Sequence, residues 1–243
     1  MRSQAISRFL NKYQWILIPL GLALLNAIIW TTFASFGGNP NLHSDSAEAY
    51  VWGREFQLGY YKHPPFWAWV SGVWFLIFPH KDWAFFLLSE MNASLGILGV
   101  WALLGRFTKG PERLAGTLLL LLTTLYTFNA LRFNANTIQL SIWPWTMYFF
   151  VLSIENKTAK SGIMLGLMAG IAMLSKYFAA LLLLACLFAA LVHRDRRAYF
   201  RSTAPWVGLL ILSAVTLPHI IWVAQNNYQP FVYATDQIMH PKN

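Results

Sequence analysis

Ionisable side chains that could catalyse a transfer reaction stand in separate stretches of this 243-residue sequence. Asp45 lies in HSDSAEAY, Lys62 and His63 lie in YYKHPP, Arg132 lies in LRFNANT, and Lys176 interrupts a long apolar run. A carboxylate can accept the proton of an attacking hydroxyl group, and fixed cations can stabilise a departing phosphate. If folding brings these stretches together, they form a site that could move a group from a lipid phosphate to a hydroxyl group.

The composition indicates that the elements carrying these residues lie in a membrane. The chain is 57% hydrophobic and 11% charged, whereas a soluble domain carries about 25% charged residues. Its many Trp, Phe and Tyr residues suit the two headgroup levels of a bilayer. The single cysteine, Cys186, lies in an apolar run, which excludes a disulfide framework and a cysteine metal site. The net charge of +9 comes from short basic clusters between apolar segments, a pattern of membrane topology that gives no support to a nucleic-acid partner.

The lengths of the apolar stretches predict where the chain crosses the membrane. A spanning helix needs about 20 apolar residues, and the sequence predicts crossings at 13–35, 83–105, 114–130, 138–154 and 203–224. The first of these is too long for the core of a signal peptide, so we expect a retained helix. Residues 161–192 are too long for one crossing and are interrupted at Lys176, which predicts two short helices. Residues 64–79 are short and bounded by prolines, and either cross or lie along the interface.

The distribution of basic residues favours the interfacial alternative for 64–79. That topology is all-α and polytopic, with about seven transmembrane helices, interfacial helices in a first external loop at 36–82, a cytoplasmic N-terminus and an external C-terminus. We expect residues 1–243 to form a single transmembrane module. Twelve of the 18 Lys and Arg residues then lie on the cytoplasmic side: Arg2, Arg8, Lys12, Arg106, Lys109, Arg113, Lys157, Lys160, Arg194, Arg196, Arg197 and Arg201.

The first external loop predicts an amphipathic helix over 45–58. Ser44 or Asp45 would cap its N-terminus, and Glu48 follows Asp45 at the spacing of a capping box. One face would lie on the bilayer surface, formed by Asp45, Ala49, Trp52 and Phe56.

In this topology the candidate site lies on the external side. Asp45 is the candidate general base, and the donor phosphate would be bound by Lys62, His63, Arg132 and Lys176 without a metal. Further substrate contacts are expected from Glu48, Tyr60, Tyr61, Asn134, Asn136 and Tyr177. Simpler interpretations stay open: Asp45 could serve as a helix cap alone, and the cations could reach lipid headgroups without specificity.

Four motifs in order, HSDSAEAY, YYKHPPFWAW, LRFNANT and GLMAGIAMLSKYFA, resemble those of the GT-C glycosyltransferases of the protein O-mannosyltransferase and lipid A aminoarabinose transferase group. The resemblance covers nearly the whole chain. It implies an inverting transferase that takes a sugar from a polyprenyl monophosphate at the periplasmic face of a bacterial inner membrane, for a lipid, glycan or protein acceptor. It places the family's proposed base on Asp45, its phosphate-binding basic segment on Lys62, His63 and Pro64, and its lysine between short helices on Lys176.

The sequence departs from this family in two respects. Many relatives have a second acidic residue where this chain has Asn136, which argues against a metal bridged by two carboxylates. We therefore expect no cofactor, and a divalent metal is an alternative that the sequence does not support. Relatives also continue further, so the chain is expected to be an N-terminal or truncated module.

Two other functions stay open. A non-enzymatic carrier or flippase for a polyprenyl-linked substrate would explain the interrupted helix at Lys176, and an inactive module would need no site. Among the other polar residues, Glu90 could serve the site or pair with a neighbouring helix, and His219 is expected to be structural.

Overall fold

The computed structural model describes residues 2–37 and 42–239, and the side chains from Gln14 onward except that of Ile238. The predicted topological roles of Arg2, Arg8, Lys12 and Lys242 therefore fall outside the described side chains. The two described ranges contain α-helices and one 3₁₀ helix, Thr124–Tyr126, and no strand, which confirms the all-α prediction. The helices are α1 (Arg2–Phe36), α2 (Ser44–Gly53), α3 (Phe66–Ile77), α4 (Asp82–Leu104), α5 (Gly110–Leu121), α6 (Gln139–Asn156), α7 (Ala159–Ser175), α8 (Ala179–Val192), α9 (Arg196–Arg201), α10 (Ala204–Gln225) and α11 (Gln229–Met239).

Three of the described helices are long and apolar enough to cross a membrane: Gln14–Phe36 within α1, then α4 and α10. Shorter apolar helices accompany them at α3, α7 and α8. The chain is thus a multi-pass membrane protein, whereas the count of seven crossings stays a prediction. The interruption at Lys176 is confirmed, because α7 ends at Ser175 and Lys176 has an extended backbone.

Helix α3 has only 12 residues, about 18 Å at 1.5 Å per residue. That length falls short of the roughly 30 Å hydrocarbon core. The helix packs instead against α2 and α7. Its length therefore favours a segment that does not cross over one that does.

The structure corrects two predicted helices. The crossing predicted at 114–130 ends as a helix at Leu121 and continues as a 3₁₀ helix and turns. Threonine hydroxyl groups compete for the backbone there, since Thr123 Oγ1 donates to Leu120 O at 2.7 Å and Thr127 Oγ1 donates to Thr123 O at 2.9 Å. Irregular backbone at membrane depth is tolerated when it is buried in protein, and Tyr126 and Ala130 in this segment are buried beside α4.

In the first loop, α2 runs over Ser44–Gly53 rather than 45–58, and its N-cap is His43. The ring of His43 accepts a hydrogen bond from the backbone N–H of Asp45 at 3.2 Å, so neither Ser44 nor Asp45 is the cap. Ala49 and Trp52, predicted to face the bilayer, are buried in the core cluster that also contains Trp67 of α3. The apolar face of α2 therefore packs on protein.

The longer helices form a row in the order α1, α4, α6, α7 and α10, in which each packs against the next. Glycines on α7 allow α10 to approach closely, since a Cβ on Gly166 would collide with the carbonyl oxygen of Gly208 and a Cβ on Gly162 with that of Ala204. Small residues at such spacing let helices associate in lipid, where no hydrophobic force drives them together.

Polar side chains attach α4 to its neighbours on both sides. Towards α1, Ser94 Oγ donates to Ala23 O at 2.7 Å, and Asn26 Nδ2 donates to Glu90 Oε2 at 2.9 Å. Of the two roles that the sequence left open for Glu90, the structure shows the pairing with a neighbouring helix. Towards α6, Ser141 Oγ donates to Asn92 Oδ1 at 2.6 Å. Helix α4 is therefore joined by side-chain hydrogen bonds to both of its neighbours in the row, α1 and α6.

Replacing Gly166 by Leu should destabilise the protein, because the added side chain meets the α10 backbone. Overpacking costs about 1 to 3 kcal/mol, and thermal unfolding of the detergent-solubilised protein would show a lower Tm and a lower folded yield. Gly21→Leu is the matched control, since a Cβ there meets nothing within 4 Å. Equal behaviour of the two variants would contradict the close packing of α7 on α10.

Candidate functional site

The turn at 132–137 has a fixed conformation. Asn134 Oδ1 accepts hydrogen bonds from the backbone N–H groups of Asn136 at 2.8 Å and Thr137 at 2.9 Å. Thr137 Oγ1 donates to Arg132 O at 2.6 Å, and Asn92 Nδ2 of α4 donates to Thr137 O at 2.7 Å. The side-chain oxygen of Asn134 thus closes its own turn, and its Nδ2 group is left to donate elsewhere.

Asp45 is the acceptor of that group. Asn134 Nδ2 donates to Asp45 Oδ2 at 3.1 Å, across a separation of 89 residues in the chain. His43 Nδ1 lies 3.7 Å from the same carboxylate oxygen, and the side chain of Asp45 is 42% exposed. The carboxylate is therefore oriented by the turn and still reachable by a hydroxyl group from outside.

Lys176 contacts the same turn from the end of α7. Its Nζ donates to Oδ1 of Asn136. Burial lowers the pKa of Lys176, and the negative charge of Asp45 partly opposes that lowering. The predicted base and one predicted phosphate ligand are thus gathered around residues 134–136.

Lys62 has a carboxylate partner that the sequence did not pair with it. Lys62 Nζ lies 2.7 Å from Glu48 Oε1, and the two side chains are only 19% and 18% exposed. Burial alone would lower the pKa of Lys62, but Glu48 outweighs burial and leaves it raised. Glu48, predicted to bind substrate, therefore holds a predicted phosphate ligand in its charged form.

His63 sits among these cations as a neutral group. Burial, followed by the positive charges of Lys176 and Lys62, lowers its pKa to about 4, against a smaller opposing contribution from Asp45. At neutral pH the imidazole can offer one N–H donor to a phosphate oxygen but adds no positive charge.

The remaining predicted site residues differ in how accessible they are. Arg132 lies on the 132–137 turn with an exposed side chain. Tyr60 is 4% exposed, its ring stacks on Trp52, and its hydroxyl group donates to Trp52 O at 2.5 Å. This burial assigns Tyr60 to the core and corrects its predicted role in binding substrate. Tyr61, in contrast, is 48% exposed.

His219 connects three segments at the site. Its Nδ1 lies 2.7 Å from Leu58 O, and its Nε2 lies 2.8 Å from the hydroxyl oxygen of Tyr177. Since a carbonyl oxygen can only accept, Nδ1 carries the proton and Nε2 accepts from Tyr177. The predicted structural role of His219 is confirmed, and the same bond fixes the hydroxyl group of Tyr177, a predicted substrate residue. A histidine within an apolar helix requires a hydrogen-bond partner, so the sequence indicated that His219 has one. The sequence did not identify Leu58 and Tyr177 as the partners.

A cavity of about 710 Å³ leads to this histidine between α7, α8 and α10. Its wall is almost entirely apolar. Tyr177 and His219 line one part of it, and Tyr199, Phe200 and Trp206 line the part near α9. Typical residues of its middle part are Leu184, Leu187, Leu209 and Leu212. The cavity has the chemistry of a site for an extended hydrocarbon chain.

Within the two described ranges, no group of three or more His, Cys, Asp or Glu side chains is arranged to hold a metal ion. The polar groups near Asp45 are the amides of Asn134 and Asn136 and the cations described above. Whether the site uses a metal stays an untested prediction of the sequence.

Comparison with known proteins gives a family and a curated relative. The family model described as dolichyl-phosphate-mannose-protein mannosyltransferase matches residues 62–222, a range that contains Lys62, Arg132 and Lys176 but begins after Asp45. The lipopolysaccharide core galacturonosyltransferase RgtA of Rhizobium johnstonii is 25% identical over 189 residues, which cover 76% of this chain and 38% of the relative. The chain thus spans well under half the length of that relative. No solved structure matches.

The depressed pKa of His63 predicts a pH dependence of stability. Because the folded-state pKa of about 4 lies below the ordinary 6.5, the unfolded chain takes up a proton at pH values where the folded chain does not. Stability should therefore fall as the pH falls from 6.5 to 4, and His63→Gln should remove that part of the fall. Tm measured from about pH 7 to about pH 4 checks this, and the same substitution at exposed His80, which caps no helix, is the control. A His63→Gln variant with the wild-type pH profile would contradict the assignment.

Proposed function

The chain belongs to the dolichyl-phosphate-mannose-protein mannosyltransferase family, and from this premise we propose that it transfers a sugar from a polyprenyl-phosphate donor to a hydroxyl group of a lipid, glycan or protein acceptor. The reaction inverts the anomeric carbon and takes place at the periplasmic face of a bacterial inner membrane. The N-terminus is cytoplasmic and the chain crosses seven times. The observation that carries the proposal is that residues 134–136 contact both Asp45 and Lys176, and that Tyr177, the next residue in the chain, lines an apolar cavity.

In the proposed reaction Asp45 accepts the proton of the acceptor hydroxyl group as its oxygen attacks the anomeric carbon. The bond between that carbon and the phosphate oxygen breaks, and polyprenyl phosphate leaves with one additional negative charge. Lys176, Lys62 and Arg132 balance this charge, and His63 donates a hydrogen bond. A base in this position contributes about 10²- to 10⁴-fold to the rate.

A polyprenyl-phosphate donor has an apolar end and a charged end, and the two ends require different surroundings. The isoprenoid chain is apolar and needs a dry surface, while the phosphate needs cations at the boundary with water. The cavity between α7, α8 and α10 supplies the first and Lys176 supplies the second. Helices α7 and α8 both line the cavity and separate at Lys176, and its chain neighbour Tyr177 is one of the lining residues.

Asp45→Asn should reduce sugar transfer by about 100-fold or more, because an amide cannot accept the proton. Transfer is measured in membrane vesicles with polyprenyl phosphate carrying mannose or galacturonic acid, the sugars in the names of the family and of the relative. The variant should reach the membrane at the wild-type level and still bind the donor. Glu55→Gln, which changes a carboxylate in the same loop, is the control. Full transfer by Asp45→Asn would rule out the base.

A bulky residue in the cavity should weaken donor binding. Leu209→Trp fills part of the cavity, whereas Leu210→Trp adds the same ring at a 66% exposed position that does not line it. We expect a KM for the long-chain donor raised by roughly tenfold for Leu209→Trp, an effect of about 1.4 kcal/mol. A donor with a very short chain should show little difference between the two variants. Equal KM values with the long-chain donor would exclude this cavity as the lipid site.

The interrupted helix also supports a second function, a carrier that moves a polyprenyl-linked substrate without reaction, since transporters place broken helices at their binding sites. A flux assay run beside the transfer assay separates the two. A carrier would move the substrate in both the wild type and Asp45→Asn and would transfer no sugar in either. An inactive module would do neither.

A further inference from the structure

Helix α11 folds back over the candidate site. After α10 ends at Gln225, both Asn227 and Tyr228 have φ of +55°, a left-handed conformation that reverses the chain at a cost of about 1 to 2 kcal/mol per residue. The helix then places Phe231 against Tyr177, with ring centroids 5.2 Å apart, and Tyr233 against Tyr61, with ring centroids 5.4 Å apart. Since residues two apart on a helix point to opposite sides, α11 lies between Tyr61 and Tyr177.

Tyr61 and Tyr233 form an open corner beside Lys62. Their rings meet at 86°, so that one aromatic face and one aromatic edge adjoin the same space. Lys62 Nζ lies 5.8 Å from the centroid of the Tyr61 ring, so the corner adjoins this cation. The 48% exposure of Tyr61 shows that the corner is open.

The hydroxyl groups of this corner differ from those of most other tyrosines. Other tyrosine hydroxyl groups are held within the protein: those of Tyr50, Tyr60, Tyr126, Tyr177 and Tyr199. Among the described residues no hydrogen bond joins the hydroxyl group of Tyr61 or Tyr233 to another group. The corner therefore combines apolar ring surface with two polar groups available to a ligand.

We propose that Tyr61 and Tyr233 form a binding subsite for a pyranose ring. A pyranose has an apolar C–H face that packs on an aromatic ring, and hydroxyl groups at its rim that can bond the two phenols. A planar hydrocarbon would leave the hydroxyl groups of the corner unused, and a second phosphate would be poorly stabilised by them. The inference rests on the proposed function and adds the residues that recognise its sugar.

The pyranose can belong to the donor or to a glycan acceptor, and binding measurements distinguish these sources. The chain in lipid nanodiscs is titrated with polyprenyl phosphate, with polyprenyl phosphate mannose or galacturonic acid, and with a soluble mannose oligosaccharide. If the subsite binds the donor sugar, the wild type binds a sugar-bearing lipid more tightly than the bare lipid, and Tyr233→Ala removes that difference. If it binds an acceptor glycan, Tyr233→Ala weakens the oligosaccharide alone.

Tyr233→Ala should raise the Kd for the sugar-bearing ligand by about 3- to 10-fold, the effect expected from the loss of one aromatic contact. Tyr233→Phe should lose less, because it keeps the ring, and Tyr61→Ala should match Tyr233→Ala. Val232→Ala is the control, a 51% exposed neighbour on the same helix. Unchanged sugar binding in Tyr233→Ala and Tyr61→Ala, or an equal loss for bare polyprenyl phosphate, would overturn the subsite.

The same titrations keep this inference separate from the proposed reaction. Sugar-dependent binding that Tyr233→Ala removes, in a wild-type chain that transfers no sugar, would support the subsite and contradict the enzyme. Transfer by the wild type with the same KM values for donor and acceptor in Tyr233→Ala would support the enzyme and overturn the subsite. A wild type that binds none of the sugar-bearing ligands would overturn the subsite whatever its activity.

Discussion

The hydrogen bond from Asn134 Nδ2 to Asp45 Oδ2 is the contact on which the candidate site depends. The two ends of the Asn134 amide have separate roles, since the oxygen closes the 132–137 turn and the nitrogen orients a carboxylate from a distant loop. The turn is itself held to α4 through Asn92. Without that support the position of Asp45 relative to Lys176 would be set only by two loops.

Helix packing fixes the other half of the site. The glycines of α7 bring α10 close along most of its length, and α10 carries His219 to the level of Leu58 and Tyr177. The network through His219 ties the first loop, the gap between α7 and α8, and the last long helix to one another. A membrane helix that must satisfy a buried histidine inside the protein thereby also holds Tyr177 and His219 together in the wall of the apolar cavity.

Sequence reasoning predicted what depends on residue type and on apolar length. The all-α membrane fold, the break at Lys176 and the partner requirement of Glu90 all follow from the cost of placing polar groups in lipid. It was wrong where local hydrogen bonds or packing decide. The helix predicted at 114–130 ends at Leu121 and is followed by turns in which Thr123 and Thr127 donate to backbone carbonyl groups. The face of α2 predicted to lie on lipid packs against α3. The pairing of Lys62 with Glu48 was missed because both residues read equally well as ligands for a substrate. The sequence could likewise not predict that Tyr60 is buried and Tyr61 exposed, because two adjacent tyrosines differ only in the direction in which the fold points their rings.

The distribution of charge around Asp45 is compatible with what the departing phosphate of the proposed reaction would require. A sugar phosphodiester carries one negative charge when bound and its phosphate product carries a second, so the demand for cations rises during the reaction. In the resting protein the carboxylate of Glu48 balances the positive charge of Lys62, and it also raises the pKa of Lys62 so that the amine stays protonated. The lowered pKa of His63 leaves its ring uncharged at neutral pH. Lys176 is then the half-buried cation that contacts the turn holding Asp45, and in the proposed reaction a second charge would come from Arg132 or from Lys62 turning away from Glu48. If all the cations of the site were unpaired, the doubly charged phosphate product would bind more tightly than the singly charged donor. Because Lys62 is paired with Glu48, the affinities for donor and product differ less, and the product can leave.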